Sequence, residues 1–189
     1  RDSPAINEPN LAFRNCGDLE FKDVSVTWGL DQKGISFGSA FGDLDGDGDL
    51  DLAYSNYQGS IAILRNDCAT GHRVIFDLRG TVSNRYGVGA TVRLESAAGV
   101  QVRQLAVARG YMSSSEPAVH FGLGPDTAIK RLVVSWPSGH RQTFENLPAD
   151  RRFVITEPGA PARLSDATQP VVARQFADQI QPAILSSNE

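Results

Sequence analysis

The sequence predicts an all-β protein in two parts: one four-stranded propeller-type blade packed on an antiparallel β-sandwich-like domain. Three observations predict it. Short apolar stretches recur along most of the chain, alternate with a period of two and are separated by Gly, Pro, Asn and Asp. A strongly acidic loop lies between two of these stretches. A tripeptide also recurs after 51 residues, Phe13-Arg14-Asn15 against Leu64-Arg65-Asn66, a period in the range of propeller blades.

The loop is Asp43-Leu44-Asp45-Gly46-Asp47-Gly48-Asp49-Leu50-Asp51, with five carboxylates in nine residues. Carboxylates so closely spaced repel one another, and a hard cation turns that cost into binding. Calcium takes six to eight oxygen ligands in flexible geometry. Asp43, Asp45, Asp47 and Asp51 are the expected side-chain ligands, and Asp49 is expected to offer its carbonyl. Gly46 and Gly48 supply the positive φ such a wrap needs. An EF-hand requires a bidentate Glu at loop position twelve, and here that position is Tyr54. The flanks alternate as strands, so the expectation is a calcium loop in a β-hairpin. The competing reading is a solvated acidic turn without metal.

The blade is expected over residues 11–71, after an N-terminal linker at 1–10. Its strands are expected at 21–24, 35–41, 50–54 and 60–64. Phe37-Gly38-Ser39-Ala40-Phe41-Gly42 followed by the acidic loop resembles an FG-GAP (VCBS-type) repeat. The resemblance implies a propeller blade with bound calcium and an entry near Asp18-Leu19-Glu20-Phe21. A single blade does not bury its own apolar face. It therefore needs a partner surface from this chain, from further blades or from another molecule. Cys16 and Cys68 follow the two repeat marks, so neighbouring repeats would bring them together. A disulfide is expected, suited to an oxidising exterior; two separate thiols are the alternative.

Residues 72–157 are expected to hold seven short strands, at 74–78, 88–94, 100–107, 118–121, 129–136, 141–144 and 153–156. Four motifs punctuate them: Ser83-Asn84-Arg85-Tyr86-Gly87-Val88-Gly89-Ala90, Gly110-Tyr111-Met112-Ser113-Ser114-Ser115, His120-Phe121-Gly122-Leu123-Gly124 and Trp136-Pro137-Ser138-Gly139. Together they resemble the ASPIC/UnbV domain family. The resemblance implies an extracellular, calcium-associated setting and no agreed catalytic activity. Residues 158–189 form a proline-punctuated C-terminal arm; the apolar residues within 160–189 suggest docking on a sheet edge or groove, in this chain or a neighbouring subunit, and a disordered tail is the alternative.

The rest of the composition narrows the function classes. The net charge is −4 and no basic run tracks a phosphate backbone, which argues against nucleic acid. No apolar stretch approaches the roughly 18 residues of a membrane span. No leader-like segment begins the chain, so it is read as mature or as a piece of a longer protein. His72, His120 and His140 lack metal-ligand spacing and read as surface or strand-face residues, with His120 facing away from Val119 and Phe121. Ser113, Ser114 and Ser115 lack a nucleophile elbow and read as a polar turn. Gly87-Val88-Gly89 reads as tight turning into a strand, and Trp28 and Trp136 as core. Arg85 and Tyr111 sit in motif turns, where they either line a binding surface or pack between the halves.

The functional expectation is a secreted calcium-binding structural or interaction module without catalytic activity. It would meet protein partners or copies of itself through exposed sheet edges, in a ring or filament. The alternatives are a fragment of a longer secreted propeller protein, or an enzyme with a site between the two halves.

Overall fold

A computed structural model describes residues 8–67 and 71–159. Among these residues the secondary structure is entirely strands and turns, and there is no helix long and apolar enough to cross a membrane. The first part contributes β1 (Phe13–Gly17), β2 (Glu20–Asp23), β3 (Ser36–Gly42), β4 (Asp51–Asn56) and β5 (Ala62–Leu64). The second contributes β6 (His72–Arg79), β7 (Thr91–Ser96), β8 (Gly99–Gln104), β9 (Ala118–Gly124), β10 (Ala128–Ser135), β11 (Arg141–Pro148) and β12 (Arg151–Thr156).

The second part is a sandwich of two sheets, ordered β11-β10-β7-β8 and β12-β6-β9. Alternation decides which side chains enter. Val74, Phe76 and Leu78 of β6 point inward, as do Val92 and Leu94 of β7 and Leu132 and Val134 of β10. Both sheets supply this one core, which Phe121, Ile129, Trp136 and Ile155 extend. Phe76 stacks on Phe153 and meets Phe121 edge-on, at centroid distances of 5.8 and 6.1 Å. One pairing departs from the antiparallel expectation: β12 runs parallel to β6. The cause is the two-residue passage from β11 to β12. Asp150, with φ at 55°, turns the chain from one sheet into the other, and the Asp150 amide is tied to the Arg73 carbonyl.

Strand limits slip where glycines intervene. Residues 88 and 89 are turn and Ala90 precedes the strand, because Gly87 and Gly89 take positive φ. At Gly87 a Cβ would lie 2.8 Å from Leu78 and 2.9 Å from Trp136, so only glycine fits the close approach. The turn at Pro137-Ser138-Gly139 forms as expected, closed by the Trp136 amide on the His140 carbonyl.

The first part is built differently from the four-stranded sheet expected of it. β3, β4 and β5 make a three-stranded antiparallel meander, while β2 pairs with β1 in a separate hairpin. Asp18 and Leu19 both adopt positive φ, so they form a two-residue turn that folds residues 20–23 back onto β1. Trp28, expected in the core, is 53% exposed, because residues 24–30 close on themselves through the Trp28 and Leu30 amides. Leu19, Val26, Ile61, Phe13 and Phe21 are exposed too, and among the described residues of this part only Tyr54 is a buried hydrophobic. Cys16 is an exposed free thiol, and Cys68 lies outside the described residues. Nearly all of the C-terminal arm also lies outside them.

The two parts meet along the outer edge of β3. The Ser39 amide donates to Ser113 Oγ at 2.9 Å and the Phe41 amide to Ser115 Oγ at 3.2 Å, while the Glu116 amide returns a bond to the Phe41 carbonyl. The serine run thus caps a strand edge that would otherwise be open to another chain. Gly38 makes the approach possible, since a Cβ there would sit 2.8 Å from the Met112 carbonyl oxygen.

Candidate functional site

The acidic loop joins β3 to β4, and Gly42 and Asp51 face each other across the base of that hairpin. Gly46 and Gly48 take φ of 80° and 94°, which curls the chain over its own side chains. The carboxylates first satisfy the loop's own amides. Asp43 Oδ1 accepts from the Gly46 amide, Asp45 Oδ1 from Asp47, and Asp47 Oδ1 from Asp49. Asp51 is 2% exposed and uses both oxygens, one on the Leu44 amide and one on the Asn66 amide, each at 2.8 Å.

Within this frame Asp43, Asp45 and Asp51 each bring a carboxylate oxygen within 4.8 Å of the other two. Calcium–oxygen bonds of about 2.4 Å place opposite ligands about 4.8 Å apart, so one hard cation can touch all three. The donor set is all oxygen, which suits calcium rather than a softer metal. Asp47 and Asp49 lie outside that triad. Asp49 Oδ1 is 3.1 Å from Arg73 Nε, and the Asp47 carbonyl accepts from the same guanidinium. Burial pushes the Asp49 carboxyl up, Arg73 opposes that, and the neighbouring Asp47, Asp43 and Asp51 push it up again.

Arg152 links the loop to the sandwich. Its guanidinium makes a bidentate pair with Asp77 at 2.7 and 2.9 Å, also binds Glu116, and lies 3.6 Å from Asp43. The hydrogen bonds it donates to Asp77 raise its pKa, burial lowers it, and Glu116 raises it further, with a net upward shift. Burial pushes Glu116 up, but hydrogen bonds from His120 and Arg152 outweigh it and hold the carboxyl at about 2. His120 alternates as expected: Val119 and Phe121 enter the core, and His120 faces Glu116 at 3.3 Å. His72 and His140 also stand beside acids, Asp150 at 2.6 Å and Glu157 at 3.6 Å. Sequence spacing gave no sign of these pairings, because every one of them joins residues through the tertiary fold or a strand start.

A second polar centre was not legible either. Glu157 is 2% exposed and follows β12. It accepts from three successive amides, Thr81, Val82 and Ser83, and from the hydroxyls of Ser83 and Ser138. Burial raises its pKa, yet the bonds from Ser138, Ser83 and Thr81 hold it well below the usual carboxylate range. This clasp ties the Ser83 motif to the Trp136 motif. Arg85 lies with its guanidinium 5.5 Å from the Tyr86 ring, and Tyr111 lies 6.4 Å from Phe37 across the junction.

Fold and junction together define an all-β chain whose sandwich carries the four motifs. The family model described as ASPIC and UnbV matches residues 80–162, so the second half carries an ASPIC/UnbV domain. Among curated proteins the chain is similar to cartilage acidic protein 1 of Homo sapiens, 29% identical over 143 residues, covering 74% of this chain and 22% of that protein. The Mus musculus protein of the same name matches to the same extent. That of Xenopus tropicalis is 32% identical over 110 residues, covering 56% of this chain and 17% of its own length. The match thus spans about a fifth of the length of these relatives.

Proposed function

We propose that this chain is an extracellular calcium-binding interaction module whose first part is an FG-GAP-type unit and whose ion sits in the loop from Asp43 to Asp51. The convergence of Asp43, Asp45 and Asp51 within 4.8 Å carries the reading. Asp47 and the Asp49 carbonyl complete the oxygen set as the ion draws the loop in. The role is structural: calcium neutralises the loop and stiffens the β3–β4 hairpin, which in turn is seated on the ASPIC/UnbV sandwich. The exposed apolar side chains of the first part, Leu19, Val26 and Ile61 among them, support contact with protein partners or further copies of the chain. The name of the relatives, cartilage acidic protein, supports a secreted setting.

A catalytic reading of the junction has little support in its chemistry. Its one carboxylate beside His120 is Glu116, already bound by Arg152 and held near 2, which leaves it unable to act as a general acid at neutral pH.

Calorimetric titration with calcium tests the proposal. Extracellular modules bind at roughly 10⁻⁴ to 10⁻³ M, and tenfold saturation adds about 1.4 kcal/mol. Calcium should therefore raise the melting temperature by about 3–5 °C, and Asp45→Ala should abolish the response. A parent protein with no calcium heat and an unchanged melting curve in chelator would overturn the proposal.

A further inference from the structure

A cavity lies at the junction of the two parts, and its charge is unbalanced. It holds about 230 Å³. Its apolar wall comes from both parts: Phe41 of β3 and Leu50 of the acidic loop from the first, and Leu105 from the second. Its polar wall carries Arg103, Arg109, His120 and Glu116. Glu116 is already matched to Arg152 and His120, so it does not neutralise the two arginines. Among the described residues the ion pairs of arginine engage Arg65, Arg73, Arg93 and Arg152, and neither Arg103 nor Arg109 makes one.

Both guanidiniums are held in place without being used up. Arg103 Nε donates to the His120 carbonyl at 2.9 Å, and its plane lies 5.5 Å from the Phe121 ring. Arg109 Nε donates to the Ala106 carbonyl at 3.3 Å. In each case the anchored Nε leaves the terminal nitrogen pair, which is the fork that grips two oxygens of a carboxylate or phosphate.

We propose that this junction cavity binds a small organic anion, a carboxylate or phosphate monoester with a short apolar body. Arg103 and Arg109 take the oxyanion, and Phe41 and Leu50 cover the apolar body. The volume falls below the 300–1,000 Å³ of drug-sized pockets, so the ligand is small and its dissociation constant is expected at about 0.1–10 mM. The site borders the acidic loop through Leu50, but none of the groups that take the oxyanion is a loop carboxylate.

The test is an amide-resolved NMR titration of the full chain with benzoate, with phenyl phosphate and with neutral benzyl alcohol, in matched ionic strength. Saturable shifts confined to residues 41, 50, 103–109 and 115–120 are expected with at least one of the two anions and not with the alcohol. The tighter of the two identifies the oxyanion. Arg109→Gln and Arg103→Gln should each weaken binding at least fivefold, while Arg131→Gln, exposed on β10 and outside the cavity, should leave it unchanged. Melting curves of the variants confirm that they fold. No saturable shift at tens of millimolar, equal shifts with benzyl alcohol, or parent-like affinity in both arginine variants would overturn the proposal. These outcomes leave the calcium titration untouched, so the two readings fail separately.

Discussion

Replacing Glu157 with alanine removes an acceptor that five donors share, and the cost can be worked from where those donors sit. Thr81 and Val82 are exposed, so water recovers their amides. Ser83 is half-buried, and both its amide, at 2.7 Å, and its hydroxyl, at 2.8 Å, point at the carboxylate. Hydrogen bonds to a charged group contribute about 1.5–3 kcal/mol each, so losing these two costs about 3–6 kcal/mol. For a chain of this size that is a fall in melting temperature of about 10 °C. Glu157→Gln keeps the shape and one acceptor oxygen and should lose roughly half as much. The pH dependence has a definite sign. The folded carboxyl is held below its ordinary value of 4.5. The stability it contributes is therefore fully present above about pH 4.5 and is lost as the pH falls from there toward the folded pKa. The gap between parent and Glu157→Ala should narrow in that window. Calorimetric melting at pH 7 and pH 3 measures it. A Glu157→Ala protein melting within about 2 °C of the parent at pH 7 would refute the reasoning.

Arg152→Gln should act on two observables in opposite directions. Losing a partly exposed cation that joins Asp43, Asp77 and Glu116 should cost about 1–3 kcal/mol of stability, yet tighten calcium roughly two- to fivefold by removing a positive charge beside a ligand, as melting and calorimetry will show. Core substitutions should separate the two parts. Phe76→Ala, fully buried in the sandwich, should cost about 3–5 kcal/mol, whereas Phe21→Ala, 59% exposed on β2, should stay within about 0.5 kcal/mol in denaturant titrations.

The sandwich was legible because most of its strands bury one face against a single core; β8, with Val100 and Val102 exposed, is the exception. Period-two alternation then marks both the strand and its inward residues, and residues 129–136 were expected where β10 runs from Ala128 to Ser135. Partnership was not legible. β6 pairs with β9 and with β12, some 45 and 80 residues away, and nothing local in Val74 or Phe76 encodes which strand will arrive or in which direction. The first part was harder for the opposite reason. Its apolar residues do not converge on a core, so Trp28 and Phe21 carried the composition of buried residues without the burial. The turn at Asp18-Leu19 decided the pairing of β2, and two residues with side chains at positive φ give no glycine signal to read.

The acidic loop shows the same divide between local and distant causes. Its carboxylate spacing and its two glycines are local, so the convergence of Asp43 and Asp45 toward Asp51 was open to sequence reasoning. The arginines that answer its charge are not local: Arg73 comes from β6 and Arg152 from β12. Their presence changes what the loop is. Five carboxylates with no counter-charge would spring apart, and would bind a cation tightly when forced together. With Arg73 on Asp49 and Arg152 beside Asp43, part of that repulsion is already relieved, so the loop can hold its curve while giving up some attraction for the ion. The same two arginines fasten the hairpin to the sandwich, at Asp77 and Glu116 on the far side of Arg152. On the proposed calcium reading, ion affinity and the seating of the first part on the second would be set by one group of charges, and a change that favours one is expected to weaken the other.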